Sequence, residues 1–287
     1  MTSFFSVMKK IKINPLFWLI LGIGVVTGYF REVVMVFVIV FIHELGHGIA
    51  AHLLKWEIKK IELLPFGGVA EVEESDNRPF YEEMTVILAG PLQHLWMIGL
   101  SYFFFSAGVW SMQDHQIFVW HNLTILFFNL LPVLPLDGGR LMQLACMRYW
   151  SYHKALDYAL VLSTTFLVIS ILMSLWLFPF HLNLWVVLSF LIVVNYLEYK
   201  QKNYRYIRFL TERLYDQAYL QPRHSIIVSS DILVKDVIRQ FRRGYIHTVF
   251  VHHKEEKQFY SLEEQELLHA LFEKKQMYSP LSTLLIK

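Results

Sequence analysis

Hydrophobic and polar positions fall in long blocks along this chain rather than at the short periods of a soluble fold. Six apolar stretches are separated by short polar segments, and they cover residues 15–30, 33–54, 84–105, 117–134, 158–178 and 184–199. About 20 apolar residues are needed to span the hydrocarbon core of a bilayer. The pattern therefore predicts an α-helical membrane protein with six transmembrane helices.

The pattern changes after the sixth stretch. Residues 201–220 are basic and aromatic, and they predict a helical linker between a membrane domain at 1–200 and a small α/β domain at 221–287. Turn and periodicity signals in this tail predict a helix, a strand and a second helix at 230–244, 246–252 and 261–272. A domain this small has only marginal stability alone, so we expect it to pair with a second copy.

Composition and charge support the same division. The chain is 55% hydrophobic and 17% charged, whereas soluble domains are about 25% charged. Net charge is only +2, which gives no reason to expect nucleic-acid binding, and the single cysteine, Cys146, excludes an intrachain disulfide. Lys and Arg concentrate in the N-terminal flank, the 55–83 loop, the 138–156 segment and the tail. By the positive-inside rule both termini are then cytoplasmic.

One chemical motif lies inside the second apolar stretch. His43-Glu44-Leu45-Gly46-His47 is an H-E-x-x-H sequence, and helical spacing puts both imidazoles on one face, where they can bind one ion. Glu44 projects about 100° from His43, within reach of a water at that ion. Ten uncharged residues precede His43, which places it roughly 15 Å into the apolar layer. Ionisable groups at that depth are costly and usually functional, so we predict a zinc hydrolase site.

A second polar segment follows the fourth apolar stretch. Pro132, Pro135 and Gly138-Gly139 end the helix there, and unwound backbone at membrane depth is tolerated only where it lines a cavity. Asp137 is thus predicted to supply a third ligand to the histidine pair. His94, on the third stretch, is predicted to be a hydrogen-bonding residue rather than a ligand.

The loop between the second and third stretches has an apolar centre. Residues 61–73 read as two short strands about Gly67-Gly68, with Phe66 just before the turn. Such a hairpin could dip into the membrane and pair its free edge with an extended substrate. An ordinary surface hairpin explains the pattern equally well.

Two separated motifs together resemble the site-2 protease family of intramembrane metalloproteases. They are His43-Glu44-Leu-Gly-His47 and Asn129…Pro132…Leu136-Asp137-Gly138. The resemblance implies that His43, His47 and Asp137 bind zinc while Glu44 activates water. It also implies a set of substrate-binding positions, which are Asn129, Phe66, Gly67, Gly68 and Pro135.

The tail resembles a single CBS domain, a module that often binds adenine nucleotides. Ser261 and Glu264 approximate its Ser/Thr-x-x-Asp motif, with Glu in place of the usual Asp. This resemblance implies ATP or a related nucleotide as a ligand and a homo-oligomer formed through the tail. Six spans and one such domain are typical of the family's sporulation branch. That branch implies a membrane-associated sigma-factor precursor as substrate, inhibitory membrane proteins as partners, and the mother-cell membrane around the forespore as location.

Two other functions are compatible with the residues. A multi-span transporter could use the His/Asp cluster as a metal-ion or proton pathway, but it would not need Glu44 at that offset, and we see no inverted repeat. An inactive scaffold could sequester membrane-tethered partners, although the intact H-E-x-x-H motif argues against it. We predict a zinc endopeptidase that cleaves a peptide bond within or near the membrane.

Overall fold

The computed structural model describes residues 11–13, 22–56, 58–64, 67–72, 78–215, 222–252 and 259–285. The chain forms two compact units. The first consists of Met1–Glu74, Tyr81–Leu131 and Leu136–Gly138, and the second of Ser75–Phe80, Pro132–Pro135 and Gly139–Lys287.

Three long helices and a small sheet form the first unit. The helices are α1 (Phe30–Leu53), α2 (Phe80–Ser106), which contains Pro91, and α3 (Met112–Asn129). Strand β2 (Ile58–Leu64) pairs antiparallel with β3 (Gly67–Val72) and parallel with β1 (Ile11–Ile13). Two strands are therefore present in the predicted hairpin, but Gly67-Gly68 begins β3 instead of forming the turn between the strands. Strand β1 was not predicted from the sequence. Phe66 lies outside the described residues.

The helices of the first unit are joined by one apolar cluster and by buried polar contacts. Ile39 of α1, Met97 of α2 and Phe118 of α3 pack together with almost no exposed surface. The Ser101 hydroxyl of α2 lies 2.8 Å from the His115 Nδ1 of α3. Helices α1 and α2 approach closely at Gly46, where a Cβ would lie 2.7 Å from the Gln93 Cγ. This approach places the motif-bearing part of α1 directly against α2.

The second unit combines helices with a three-stranded sheet, in strand order β4-β5-β6. Strands β4 and β5 are parallel, and β5 and β6 are antiparallel. Its elements are α4 (Asp137–Tyr149), α5 (Tyr152–Leu177), α6 (Leu182–Tyr215), β4 (Arg223–Ser229), α7 (Val234–Ile238), β5 (Ile246–His252), β6 (Phe259–Glu263), α8 (Glu264–Phe272) and α9 (Ser282–Leu285). The first two residues of α4 belong to the first unit.

One hydrophobic core runs from the helices α4 to α6 into the tail. Tyr152 of α5 and Phe209 of α6 are fully buried, and their rings stack with centroids 3.9 Å apart. The same cluster includes Val249 of β5 and Leu267 of α8. The tail thus buries its apolar face against helices of its own chain. Pairing with a second copy stays a prediction, as do the domain boundaries at 200 and 220.

Four helices of the described residues are long and apolar enough to cross a membrane, compared with six in the sequence prediction. They are α1, α2, α5 and α6. Helix α3, which covers most of the predicted fourth span, is not among them; it carries Asp114, His121 and Asn122. The predicted first span, at 15–30, is described only from residue 22 onward.

Further elements differ from the sequence prediction. Strand β6 contains residues 261–263, so the second helix of the tail begins at Glu264 and not at Ser261. Helix α6 continues without a break through the predicted linker as far as Tyr215, and 216–221 lie outside the described residues. The helix predicted at 230–244 is only the short α7, whose N-cap residue is Leu233 and has no side-chain cap. Helix α4 lies where the sequence suggested only a connecting segment. Its Gly138-Gly139 pair suggested a turn, but Asp137 opens the helix, where an acidic residue complements the helix dipole.

Candidate metal centre

Three side chains from two elements of the first unit converge on one point. Helix α1 presents His43 and His47 from successive turns, and Asp137 opens α4. The Nε2 atoms of the two imidazoles are 3.1 Å apart, and they lie 3.1 Å (His43) and 3.4 Å (His47) from the Asp137 Oδ2. His43 is buried, with 3% of its surface exposed, and His47 and Asp137 are half-buried. The structure therefore brings together the three residues that the sequence predicted as ligands.

The Nδ1 atom of each imidazole has a hydrogen-bond partner, and this contact sets which ring nitrogen carries the proton. The Nδ1 of His47 lies 2.8 Å from the Val86 carbonyl oxygen, and a carbonyl oxygen only accepts. The proton of His47 is thus on Nδ1, and its Nε2 offers a lone pair. The Nδ1 of His43 lies 3.0 Å from the His94 Nε2, which agrees with the expectation that His94 is a hydrogen-bonding residue.

The carboxylate of Asp137 supplies an independent test of metal binding. Its Oδ2 is buried and has no hydrogen-bond partner among the described residues, although two imidazole nitrogens lie nearby. A buried anionic oxygen beside nitrogen lone pairs needs a cation. Three ligand atoms that share one tetrahedral zinc, at bonds of about 2.0 Å, lie about 3.3 Å apart. The observed spacings of 3.1, 3.1 and 3.4 Å fit such an ion.

Gly90 of α2 gives the imidazoles their space. A Cβ at this position would lie 2.8 Å from the His43 Nε2 and closer still to the His47 Nε2. Real Cβ atoms do not approach other heavy atoms this closely, so any larger residue would displace the two rings. The groups that approach Gly90 most closely are thus the candidate ligands themselves.

Gly90→Ala is therefore expected to lower the zinc content of the purified protein, together with its proteolytic activity. The added methyl group would push both Nε2 atoms out of ligand geometry. Zinc per chain, measured by elemental analysis, checks this expectation. Gly99→Ala on the same helix is the control, since beyond the adjacent helix backbone no atom of the described residues lies within 4 Å of a Cβ there. Equal zinc content in the two variants would contradict the role of Gly90.

The remaining residues of the predicted centre lie on α1 and α3. Glu44 is half-buried and follows His43 on α1. Asn129 is the last residue of α3, and its Nδ2 donates to the Ile125 carbonyl oxygen at 3.1 Å. Asn122 of α3, fully buried beside His94, was missed by the sequence analysis. The available signal was a polar side chain within a predicted span.

The predicted substrate-binding positions are spread over both units. Gly67 and Gly68 begin β3 and pair with Leu64 and Leu63 of β2. Pro135 is half-buried in the second unit, in the irregular segment after α3.

The backbone of that irregular segment is bound by neighbouring helices of the second unit. The Ser163 hydroxyl accepts from the Leu134 N–H at 2.9 Å, and the Asn195 amide donates to the Leu134 carbonyl at 3.5 Å. Side chains thus satisfy both backbone groups of Leu134, as an apolar environment requires.

The two predicted nucleotide-binding residues have different surroundings. Ser261 is exposed on β6. Glu264 is only 1% exposed, and its carboxylate accepts hydrogen bonds from the Arg213 guanidinium and from the backbone N–H of His247 at 2.8 Å. This carboxylate therefore ties α8 to α6 and β5.

Comparisons with known proteins agree with this geometry. The sequence profile of peptidase family M50 matches residues 32–113 and 107–173. The chain is 37% identical to the stage IV sporulation protein FB of Bacillus subtilis (strain 168), over 100% of this chain and 99% of that protein. It is 31% identical to a zinc metalloprotease of Methanocaldococcus jannaschii over 166 residues, which are 56% of this chain and 44% of that protein.

A solved structure shows the same likeness in three dimensions. The site-2 protease from Methanocaldococcus jannaschii superposes with a TM-score of 0.52 at 25% identity, and the match covers 66% of this chain and 89% of that one. Four apolar helices and a His-His-Asp group are the features expected of such an enzyme in a membrane. The chain belongs to peptidase family M50, and it is an integral membrane zinc metalloendopeptidase.

Proposed function

We propose that this enzyme cleaves a membrane-associated sigma-factor precursor during sporulation, by regulated proteolysis within or near the membrane. The observation that carries the catalytic part is the convergence of His43, His47 and Asp137 around a buried, unpartnered carboxylate oxygen. Similarity to a sporulation protein over almost the whole of both chains supports the biological part. A transport function is not favoured, because the similar proteins from Methanocaldococcus jannaschii are proteases.

The catalytic roles follow from the atoms that face the centre. His43 and His47 would hold the ion through Nε2, and Asp137 would hold it through Oδ2. When bound, zinc supplies Lewis-acid activation of a water molecule. Glu44, on the same helix as both histidines but not among the converging ligands, would accept the proton as general base.

Substrate binding is proposed at the edge of the small sheet. In the order β1-β2-β3, strand β1 covers one side of β2, and β3 is the outermost strand on the other side. An extended substrate segment could add to β3 by main-chain hydrogen bonds. The Asn129 amide donates one hydrogen bond to the Ile125 carbonyl oxygen of α3, and its side-chain oxygen is the atom that could accept from a substrate N–H. Phe66 and Pro135 complete the proposed set.

Regulation is proposed to act through the tail. Sequence resemblance, with an exposed Ser261 on β6, supports binding of ATP or a related nucleotide there. Glu264 contributes to the tail's structure by its contacts with Arg213 and His247. Cytoplasmic termini, inhibitory membrane proteins and self-association through the tail complete the proposal. The orientation of the termini rests on the distribution of basic residues, and the inhibitory partners and self-association rest on the two sequence resemblances.

The Asp137→Asn variant tests the centre and the function together. Removal of the charge leaves two neutral imidazoles as ligands, so zinc content and cleavage of a co-expressed sigma-factor precursor should both fall strongly. Zinc per chain and the cleaved fraction are measured on the same preparation. Asp236→Asn is the control, since that half-exposed carboxylate of α7 pairs with Arg239 at 3.7 Å and lies outside the ligand set. Normal zinc content in Asp137→Asn would remove Asp137 from the ligand set.

A further inference from the structure

A line of four groups connects the candidate ligand His43 to the backbone of α3. The Nδ1 of His43 is 3.0 Å from the His94 Nε2, and the His94 Nδ1 is 3.0 Å from the Asn122 Oδ1. The Asn122 Nδ2 donates to the Phe118 carbonyl oxygen at 3.0 Å. His94 and Asn122 are fully buried, so every polar atom in this line must find its partner inside the protein.

The Phe118 carbonyl oxygen, at the end of the line, determines which group donates and which accepts in every hydrogen bond. The Phe118 carbonyl only accepts, so the Asn122 NH₂ group must face it and the Asn122 oxygen must face His94. That oxygen only accepts, so the His94 proton is on Nδ1, and the His94 Nε2 carries a lone pair. The His43 Nδ1 must then be the donor to His94. The lone pair of His43 is left on Nε2, the atom that faces Asp137 and His47.

We propose that His94 and Asn122 are positioning residues that hold His43 in the tautomer and ring orientation needed to bind the metal. The inference rests on the proposed zinc site at His43, His47 and Asp137. Partners of metal-bound histidines set the tautomer in this way, and their loss typically costs about 10- to 100-fold in metal affinity. Neither residue contacts the point where the three ligands converge, so each acts through His43.

The two histidine ligands differ in how their orientation is fixed. His47 donates to the Val86 backbone carbonyl, a group that every side chain at position 86 would retain. His43 depends on two side chains contributed by α2 and α3. Substitutions can therefore disturb the tautomer of His43 while His47 keeps its partner.

The experiment measures zinc affinity of the purified full-length chain in detergent, by competition with a chelator. Asn122→Leu should bind zinc about 10- to 100-fold more weakly, because His94 can then turn its proton toward His43. Asn122→Ala is measured in parallel, since a smaller side chain cannot overfill the site. Asn122→Asp should stay near the wild-type affinity, because a carboxylate oxygen still accepts from the His94 Nδ1. The visible absorption spectrum of bound Co²⁺ should change in the Leu and Ala variants but not in the Asp variant.

A double variant separates positioning from packing. If Asn122 acts only through His94, the variant with His94→Phe and Asn122→Leu should bind zinc no more weakly than His94→Phe alone. Ser101→Ala is the matched control. That buried hydroxyl also joins α2 to α3, by its contact with His115, but it does not lead to a ligand. Its zinc affinity should equal the wild-type value.

Several results would overturn the inference. They are wild-type zinc affinity in both Asn122→Leu and Asn122→Ala, equal losses in Asn122→Asp and Asn122→Leu, or a loss in Ser101→Ala as large as theirs. The proposed site itself fails in a different way, if the wild-type chain does not bind zinc or if Asp137→Asn binds it normally.

Discussion

Glu44→Gln is expected to keep its zinc and to lose about 10²- to 10⁴-fold in the rate of peptide-bond cleavage. The amide has almost the same shape as the carboxylate but cannot accept a proton from water. Glu44 lies outside the set of converging ligand atoms, so its replacement leaves His43, His47 and Asp137 in place. Zinc per chain and single-turnover cleavage, measured on the same preparation, check both halves of the expectation.

The control for Glu44 lies on the same helix. Glu32 is in the first turn of α1, and Glu32→Gln should cleave at the wild-type rate. Proteolysis by Glu44→Gln at a rate near that of Glu32→Gln would contradict the general-base role. A variant that lost zinc as well as activity would instead indicate that Glu44 supports the metal site.

Glu264→Gln is expected to lower the free energy of unfolding by about 3–5 kcal/mol, the usual result of leaving one partner of a buried ion pair alone. Arg213 of α6 is 0% exposed, and its guanidinium donates to both oxygens of Glu264, from Nε to Oε1 and from Nη2 to Oε2 at 2.7 Å. The Gln side chain would leave the buried guanidinium without a counter-charge. Chemical unfolding of the full chain in detergent, followed by Trp fluorescence, measures the loss.

Glu273→Gln provides the comparison for this variant. Glu273 is well exposed, and its 2.9 Å pair with His269 lies at the surface, where such pairs contribute about 0–1 kcal/mol. Similar unfolding free energies for Glu264→Gln and Glu273→Gln would show that the buried pair contributes little.

Acidification should weaken the same buried network. Burial lowers the pKa of His247; burial would raise the pKa of Glu264, but hydrogen bonds from His247 and Arg213 hold it below its usual range. Both groups therefore bind protons more readily in the unfolded chain. Their stabilisation is complete above the ordinary pKa values, about 6.5 for His and 4.3 for Glu, and is lost as pH falls below them. The unfolding free energy should thus decrease from pH 7 to pH 5, and less so in His247→Asn.

The sequence allowed the membrane helices and the metal centre to be predicted for a common reason. Apolar runs and ionisable residues inside them are local signals, so α1, α2, α5 and α6 were anticipated, as was the convergence of His43, His47 and Asp137. In each case the cost of placing polar groups in an apolar environment restricts the alternatives.

Features that depend on distant partners were not predictable in the same way. Asn122 supports a residue on another helix, and Arg213 and Glu264 are separated by 51 positions. Strand β1 is only three residues long, and the whole of α1 lies between it and its partner β2 in the sequence. Helix α4 was hidden because its first turn contains two glycines, which local rules assign to a turn. Tertiary packing overrides local propensity at each of these places.

Helix α6 has a mechanical consequence for the tail. Its 34 residues extend about 51 Å at 1.5 Å per residue, whereas the hydrocarbon core is about 30 Å thick. Its far end is clamped, because Arg213 is held by Glu264 and the Tyr245 carbonyl. A change in the orientation of the tail would therefore be transmitted along the length of the helix. A tilt of about 5° at this end would displace the opposite end by about 4 Å, compared with a rise of about 5.4 Å for one helical turn.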